Sequence, residues 1–303
     1  TGPVVTNSSL VFNRSDDTTA AGPISGTGTL TKQGNGVLTL NASSTYLGAT
    51  TIAGGTVRLG ASQTMNVTSA IWLDATDGST INTSGGGALT SWTNKGSLGA
   101  EANAIPVVGL EPTFISSVPA LNNNAAIRFD ADATGGAPFD RIVLPQDYTA
   151  GNVTIIYAGR LTGGANQRLV AAAGNNWLLG TWNGNSESAF FNNGFLANSV
   201  APDTAARIYT GTIATGGAAE FYVNGALKGT GGGAQGPNGI ALGGGYLNNG
   251  TELSDADIGE FLVFTSVLTP MERSQVQDYL ARKWQGTGTL NVLPATTKVT
   301  LAN

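Results

Sequence analysis

The sequence predicts an all-β chain in two parts: a two-sheet sandwich carrying one C-terminal helix, joined to a short β-solenoid segment. Three observations predict it. Short runs of alternating apolar and polar residues recur along most of the length, punctuated by Gly, Asn and Ser. A single segment, 268–284, combines helical spacing with a helix start signal. The phrase GTGTL at 26–30 returns letter for letter at 286–290 and brackets everything between.

The solenoid segment comes first. Between 9 and 60 the runs SLVFNR, GTLTKQ, GVLTLN, ATTIAG and GTVRLG are no more than six residues long and nearly evenly spaced. Strands this short suit rungs that stack one on the next. Leu30, Leu38, Leu40, Ile52, Val57 and Leu59 are the expected inward residues, and small Thr, Gly and Asn suit tight corners and polar ladders.

From 66 the pattern changes. Trp and Phe appear and the strand candidates lengthen: NVTIIYAGR (152–160), NNWLLGTW (175–182), RIYTGTIA (207–214) and IGEFLVF (258–264). In AEFYVNGALKG (219–229), Asn224-Gly225 stands between two strand-like runs, a strong hairpin signal. Many strands with Gly-rich turns and one helix predict a sandwich. The helix starts with Thr269 as cap, Pro270 at the first helical position and Glu272 to complete a capping box. Val276, Tyr279, Leu280 and Trp284 then fall on one face, predicted to pack on the sandwich.

The returning GTGTL makes 286–303 the start of a further repeat. The expected organisation is therefore 1–65 solenoid, 66–285 sandwich, 286–303 C-terminal strand segment, with the sandwich inserted into one repeat array. Open rung ends expose unpaired strand edges. These are expected to be covered by adjacent repeats or by copies of the chain. The chain begins at Thr1 with no initiator Met or signal peptide and reads as a piece of something longer.

Composition narrows the function. Charged residues are 11% of the chain, against roughly 25% in ordinary soluble domains. There are 14 Lys and Arg with no basic run, so the electrostatic footprint of a nucleic-acid binder is absent. No apolar stretch reaches the length of about 18 residues that marks a membrane-spanning helix. The absence of Cys excludes disulfides and thiolate sites, and the absence of His excludes Ser-His and Cys-His catalysis. Any chemistry falls to carboxylates.

Two resemblances follow from particular residues. SLVFNRSDD and ISGTGTLTKQGNGVLTLNASSTYLGATTIAGGTVRLG, within 9–60, resemble the autotransporter-associated β-strand repeat of bacterial passenger domains. This implies a secreted, surface-displayed β-helix. WLDATDGSTI, SWTNKGSLG, AIRFD, FYVNGALKG, IALGGG and IGEFLVFTSVLTPMERSQVQDYLARKW resemble the laminin-G-like, concanavalin A-like jelly roll of bacterial surface proteins, over about 70–284. The ending is its most specific part. Members bind glycans, proteins or calcium, so the resemblance implies fold strongly and function weakly.

Three constellations are the candidate sites. Asp255, Asp257 and Glu260 have a D-x-D-x-x-E spacing that resembles the E-x-D-x-x-E of a jelly-roll glycoside hydrolase family. On a regular strand 257 and 260 point to opposite faces, so a shared site requires a bulge at Gly259. The alternative is a solvated loop entering a strand, and the expected answer is no enzyme. Calcium wants six to eight oxygens. Glu252, Asp255 and Asp257, with Asn248 and Asn249, offer some in one loop, and Asp130, Asp132 and Asp140 offer others, neither at the spacing of a known calcium loop. For a glycan the pattern is an aromatic beside amides: Trp182, Asn183 and Asn185 in one loop, Tyr246, Asn248 and Asn249 in another. Trp177 and Trp182 differ in parity, so one of them is expected in the core, as are Trp72, Trp92 and Trp284 as core or helix anchors. The expected partner is a glycan or a surface protein.

Overall fold

The computed structural model describes residues 3–20, 22–40, 44–59, 65, 67–131, 139–164, 166–191, 194–196, 200–216, 218–232, 235–286 and 299–301. Asp132, most of the returning GTGTL and the side chains of Leu59 and Asn248 lie outside them. The chain divides into two compact units, Thr1–Met65 with Gly288–Asn303, and Asn66–Thr287.

The first unit is a β-solenoid built on parallel pairing. Leu10 stands beside Leu30, and Leu30 beside Thr50. Val4 stands beside Ile24 and Thr18 beside Leu38. Each step advances the chain by one coil of 20 residues, the separation that also joins the N–H of Thr27 to Asn7 Oδ1 at 3.2 Å and the N–H of Val37 to Asp17 Oδ1 at 2.8 Å. Val299–Leu301 then pairs in parallel with Thr50–Ile52, taking the next place in the same sheet. Leu30, Leu38, Leu40, Ile24 and Tyr46 form the buried core, while Val57 packs against it and Ile52 is half-buried.

Two features of this unit follow from tight stacking. A Cβ on Gly28 would fall onto the carbonyl oxygen of Ser8, and one on Gly48 onto that of Gly28. Glycine is therefore the residue that lets successive corners touch backbone to backbone. The second is Lys32, which takes the inward place between Phe12 and Ile52 and is wholly buried. Its Nζ donates to the carbonyls of Gln33 at 2.6 Å and Gly34 at 2.8 Å. The ammonium thus satisfies corner carbonyls that a leucine would leave unpaired.

The second unit is a two-sheet jelly-roll sandwich. The larger sheet runs in the order Thr113–Val118, Asn124–Phe129, Ala256–Phe264, Val153–Leu161, Arg207–Ile213, Ala218–Val223, Ala226–Gly232, with Ile71–Asp74 also paired to Ala256–Phe264. The smaller runs Ile142–Asp147, Asn238–Leu242, Val170–Ala172, Trp177–Trp182, Asn185–Phe191. Trp177, Phe191, Tyr157, Tyr209, Phe261 and Phe129 are among the residues filling the space between. Tyr157 and Tyr209 place their rings in that core, and their hydroxyls donate to the carbonyls of Leu179 and Ser186 in the facing sheet, at 2.8 and 2.9 Å. Burying two hydroxyls is tolerable because both are hydrogen-bonded.

Asn224 and Gly225 both adopt positive φ, 51° and 79°, and turn the hairpin between Ala218–Val223 and Ala226–Gly232. The helix spans Pro270–Leu280, with the Thr269 and Glu272 side chains capping each other's backbone N–H. Val276, Tyr279, Leu280 and Trp284 are all buried, as is Gln277, whose Nε2 donates to Thr210 Oγ1 at 2.9 Å on the larger sheet. Past Leu280 the helix widens into a π-turn, Ala281–Gln285, which sets Trp284 down against the sheet.

Candidate functional site

Two side-chain clusters stand out in the sandwich, one at a loop end and one under the helix. The first begins with a tight turn. Trp177–Trp182 and Asn185–Phe191 are joined by Asn183 and Gly184, both at positive φ, 49° and 76°. The register shifts between Gly180 and Trp182. Trp177 is fully buried and stacked on Phe191 with centroids 5.3 Å apart, while Trp182 stays partly exposed at the strand end.

Trp182 is held on two sides. Its ring stacks on Phe195 at 4.7 Å, and Phe195 in turn leans on Phe190 at 4.9 Å. Its Nε1 donates to Glu252 Oε2 at 3.0 Å. The same oxygen accepts from Arg168 Nε at 2.6 Å. Arg168 is almost fully buried, donates also to Asn176 Oδ1 and the carbonyl of Trp177, and lies over the Tyr246 ring at 4.9 Å. An Arg168–Glu252 node therefore ties the Trp182 loop to the Tyr246 loop. Glu252 occupies it from a left-handed backbone, φ 57°, an uncommon conformation for a residue with a side chain.

The amides around the node are partly committed to turns. Asn183 is exposed, and its N–H donates to Gln167 Oε1 at 3.2 Å. Asn185 Oδ1 accepts from the N–H of Val200 at 2.8 Å. Asn249 Oδ1 accepts from the N–H and hydroxyl of Thr251 at 3.0 and 2.8 Å. Phe195 is 48% exposed and forms the open face of the aromatic group with Trp182. The sequence singles out Trp182 and Tyr246 as glycan contacts and Glu252 as a calcium ligand, and the structure brings these three together; Arg168, Phe190 and Phe195 carry no motif that would have singled them out.

The carboxylates at 252, 255 and 257 take separate partners. Glu252 belongs to the node. Asp255 Oδ1 accepts from the N–H of Ala131 at 2.8 Å. Asp257 is fully buried and clasped by Arg128, whose Nε and Nη2 lie 2.8 and 3.1 Å from its two oxygens, with Arg160 at 3.5 Å. Among the described residues no three acidic groups gather closely enough to hold a metal ion.

Glu260 anchors the second cluster. Ala158 pairs with Glu260 but Gly159 with Ile258, so Gly259 is an extra residue in the strand. This bulge puts Asp257 and Glu260 on the same outer face of the larger sheet. Both are then neutralised and covered. Glu260 Oε1 accepts from Trp72 Nε1 at 2.6 Å and Tyr279 hydroxyl at 3.0 Å; Oε2 accepts from Trp284 Nε1 at 2.8 Å and Lys283 Nζ at 2.9 Å. Lys283 Nζ also donates to Asp74 Oδ1 at 2.7 Å. A Cβ on Gly259 would fall inside the indole of Trp284.

The acids of this cluster titrate oppositely. Burial pushes the Glu260 carboxyl above its ordinary value, with the Asp74 charge adding to the effect against the pull of Lys283. Burial also opposes ionisation of Asp74, but the Lys283 ammonium and the Thr76 hydrogen bonds outweigh it and hold that group below its ordinary value. The Gly, Glu, Lys and Trp of the sequence's most specific ending therefore meet at one point.

A third acid gives a pH prediction. Asp140 is pushed up to about 6 by burial, with the charges of Asp130 and Glu111 adding, against one hydrogen bond from the N–H of Asp130. A raised folded value means its contribution to stability is fully present below about 4, the unfolded value, and is lost as pH rises through about 6. Asp140→Asn is expected to raise stability at pH 7 and flatten the pH dependence between those values. Thermal melts from pH 4 to 7.5 measure this; equal slopes for variant and wild type would refute it.

Comparison with known proteins gives one family match, over a short stretch, and a set of distant structural likenesses. The family model described as passenger-associated-transport-repeat matches residues 30–59. No curated protein matches the chain. Similar solved structures include the binding domain of botulinum neurotoxin serotype D/C VPI 5993, with 14% identity, TM-score 0.49, and coverage of 72% of this chain and 53% of that one. Another is botulinum neurotoxin type C, whose cell entry depends on interaction with two ganglioside molecules, with 12% identity, TM-score 0.48, and coverage of 71% and 52%. A third is the binding domain of Paraclostridial Mosquitocidal Protein 1, with 13% identity, TM-score 0.46, and coverage of 70% and 52%. None of the three is named as a laminin-G domain. The chain spans about half the length of these structures.

Proposed function

We propose that this chain is a non-catalytic recognition module of a secreted or surface-displayed protein, and that the sandwich binds a glycan at Trp182. The repeat match at 30–59 supports display. The observation that carries the binding reading is the partly exposed Trp182 indole, stacked on Phe195 and fixed by Glu252. The apolar face of a sugar ring stacks on such a platform, and the exposed Asn183 beside it is suited to hydroxyls. Tyr246 shares the node through Arg168. Calcium is no part of this reading: Glu252 and Asp257 already carry guanidinium partners.

A glycan array followed by calorimetry on the best hit tests it. Trp182→Ala is expected to weaken binding at least tenfold, about 1.4 kcal/mol, with Trp182→Phe in between. Unchanged affinity in Trp182→Ala, or an array with no hit, would defeat the glycan reading.

A second reading, a fibre subunit, is favoured by the strand edges. Among the described residues Ser9–Asn13 pairs only with Thr29–Gln33, and Val299–Leu301 only with Thr50–Ile52. Light scattering on the whole chain separates the two readings: concentration-dependent growth supports assembly through those edges, and a steady monomer rejects it.

A further inference from the structure

The cluster beneath the helix has the parts of a self-condensing site. Lys283 Nζ lies 2.7 Å from Asp74 Oδ1 and 2.9 Å from Glu260 Oε2. Glu260 is wholly buried, Asp74 nearly so, and Lys283 is 18% exposed. The indoles of Trp72 and Trp284 and the Tyr279 hydroxyl fix the Glu260 carboxyl in place. Thr76 fixes Asp74 Oδ1 through its N–H at 3.0 Å and its hydroxyl at 2.7 Å. An amine hydrogen-bonded to a carboxylate oxygen stands near the separation of about 3–3.5 Å from which reaction starts.

We propose that Lys283 and Asp74 become joined by a side-chain amide bond, with Glu260 as the proton carrier. Lys283 Nζ passes one proton to Glu260 Oε2 and becomes a neutral amine. Its lone pair attacks Asp74 Cγ, forming the C–N bond. Glu260 returns the proton to an Asp74 oxygen, a second proton leaves the nitrogen for the same oxygen by the same route, and the C–O bond breaks to release water. In sum, one ammonium and one carboxylate give one amide and one water, so no oxidant or activated co-reactant is needed. Exclusion of water favours the condensed side, and burial, which pushes Glu260 upward, suits it to hold a proton. Lys95 is the less suited amine. It is 26% exposed, lies 3.3 Å from Asp74 Oδ2, and is drawn to Asp77 at 2.9 Å.

In a chain with no cysteine, such a bond would do what a disulfide does elsewhere: join the first strand of the sandwich to the end of its last helix.

Mass spectrometry of the whole chain, denatured, tests it directly. The expected mass is lower than the sequence mass by about 18 Da, one water. Trypsin is expected not to cut after Lys283, and the digest to contain a branched peptide joining Asp74 to Lys283. Lys283→Arg, which keeps the charge but cannot condense in this way, is expected to show the full mass, and Glu260→Gln a large loss of the linked form. A wild-type chain at full sequence mass overturns the proposal without any variant. So does a water loss that maps to a succinimide at Asp77-Gly78, or one that persists in Lys283→Arg.

Discussion

Glu260→Ala is expected to cost the sandwich about 3–5 kcal/mol, the range seen when one partner of a buried ion pair is removed. Four donors converge on this carboxylate: the Trp72 and Trp284 indoles, the Tyr279 hydroxyl and the Lys283 ammonium. Alanine removes this acceptor from all four at once and strands the two indole N–H groups. It also leaves Lys283 with Asp74 as its sole ion-pair partner. Glu260→Gln keeps two acceptor lone pairs in place and is expected to lose less. Urea unfolding followed by tryptophan fluorescence measures both. A loss under about 1 kcal/mol in Glu260→Ala would mean that the helix is held by its apolar face alone.

Gly28→Ala is expected to break the stacking of the solenoid. Its new methyl would meet the Ser8 carbonyl, a backbone atom with no rotamer to yield. Overpacking a side chain costs about 1–3 kcal/mol, and a backbone clash belongs at or above the top of that range. The damage should stay local, because the sandwich has its own core. Limited proteolysis is expected to cut the variant within 9–59 while the sandwich survives as a resistant fragment. Equal resistance of the first unit in variant and wild type would show that the corners can spread.

The parts of the fold legible in the sequence are those set by neighbours along the chain. The capping box at Thr269 and the Asn224-Gly225 turn depend on local backbone preferences, so they could be read directly. Leu30, Leu38 and Leu40 announced the inward face of the solenoid by alternation alone. Lys32 shows where that reading fails. Alternation puts it inward, its charge argues outward, and the decision belongs to carbonyls brought near by coiling. The Gly259 bulge was likewise only a condition in the sequence, since it depends on how Val153–Leu161 registers against Ala256–Phe264. The candidate site was half legible: Trp182 and Tyr246 could be picked out as aromatics among amides. The Arg168–Glu252 link between them joins residues 84 apart in sequence and left no local trace.

The position of Glu260 also decides how the molecule would carry tension. The chain enters the sandwich through Ile71–Asp74 and leaves it just past Trp284. Both points are fastened at Glu260: the entering strand by its backbone pairing of Asp74 with Glu260, the departing turn by Lys283 and Trp284. A pull on the polypeptide at both sides would therefore load the pairing of Ile71–Asp74 with 260–263 together with the Glu260 contacts of Lys283 and Trp284, while Asn122 and Asn124 hold the Lys283 carbonyl as well. Trp182 belongs to the smaller sheet, which takes no part in those contacts. The binding face proposed at Trp182 is thereby expected to keep its shape while the chain on either side of the sandwich is stretched.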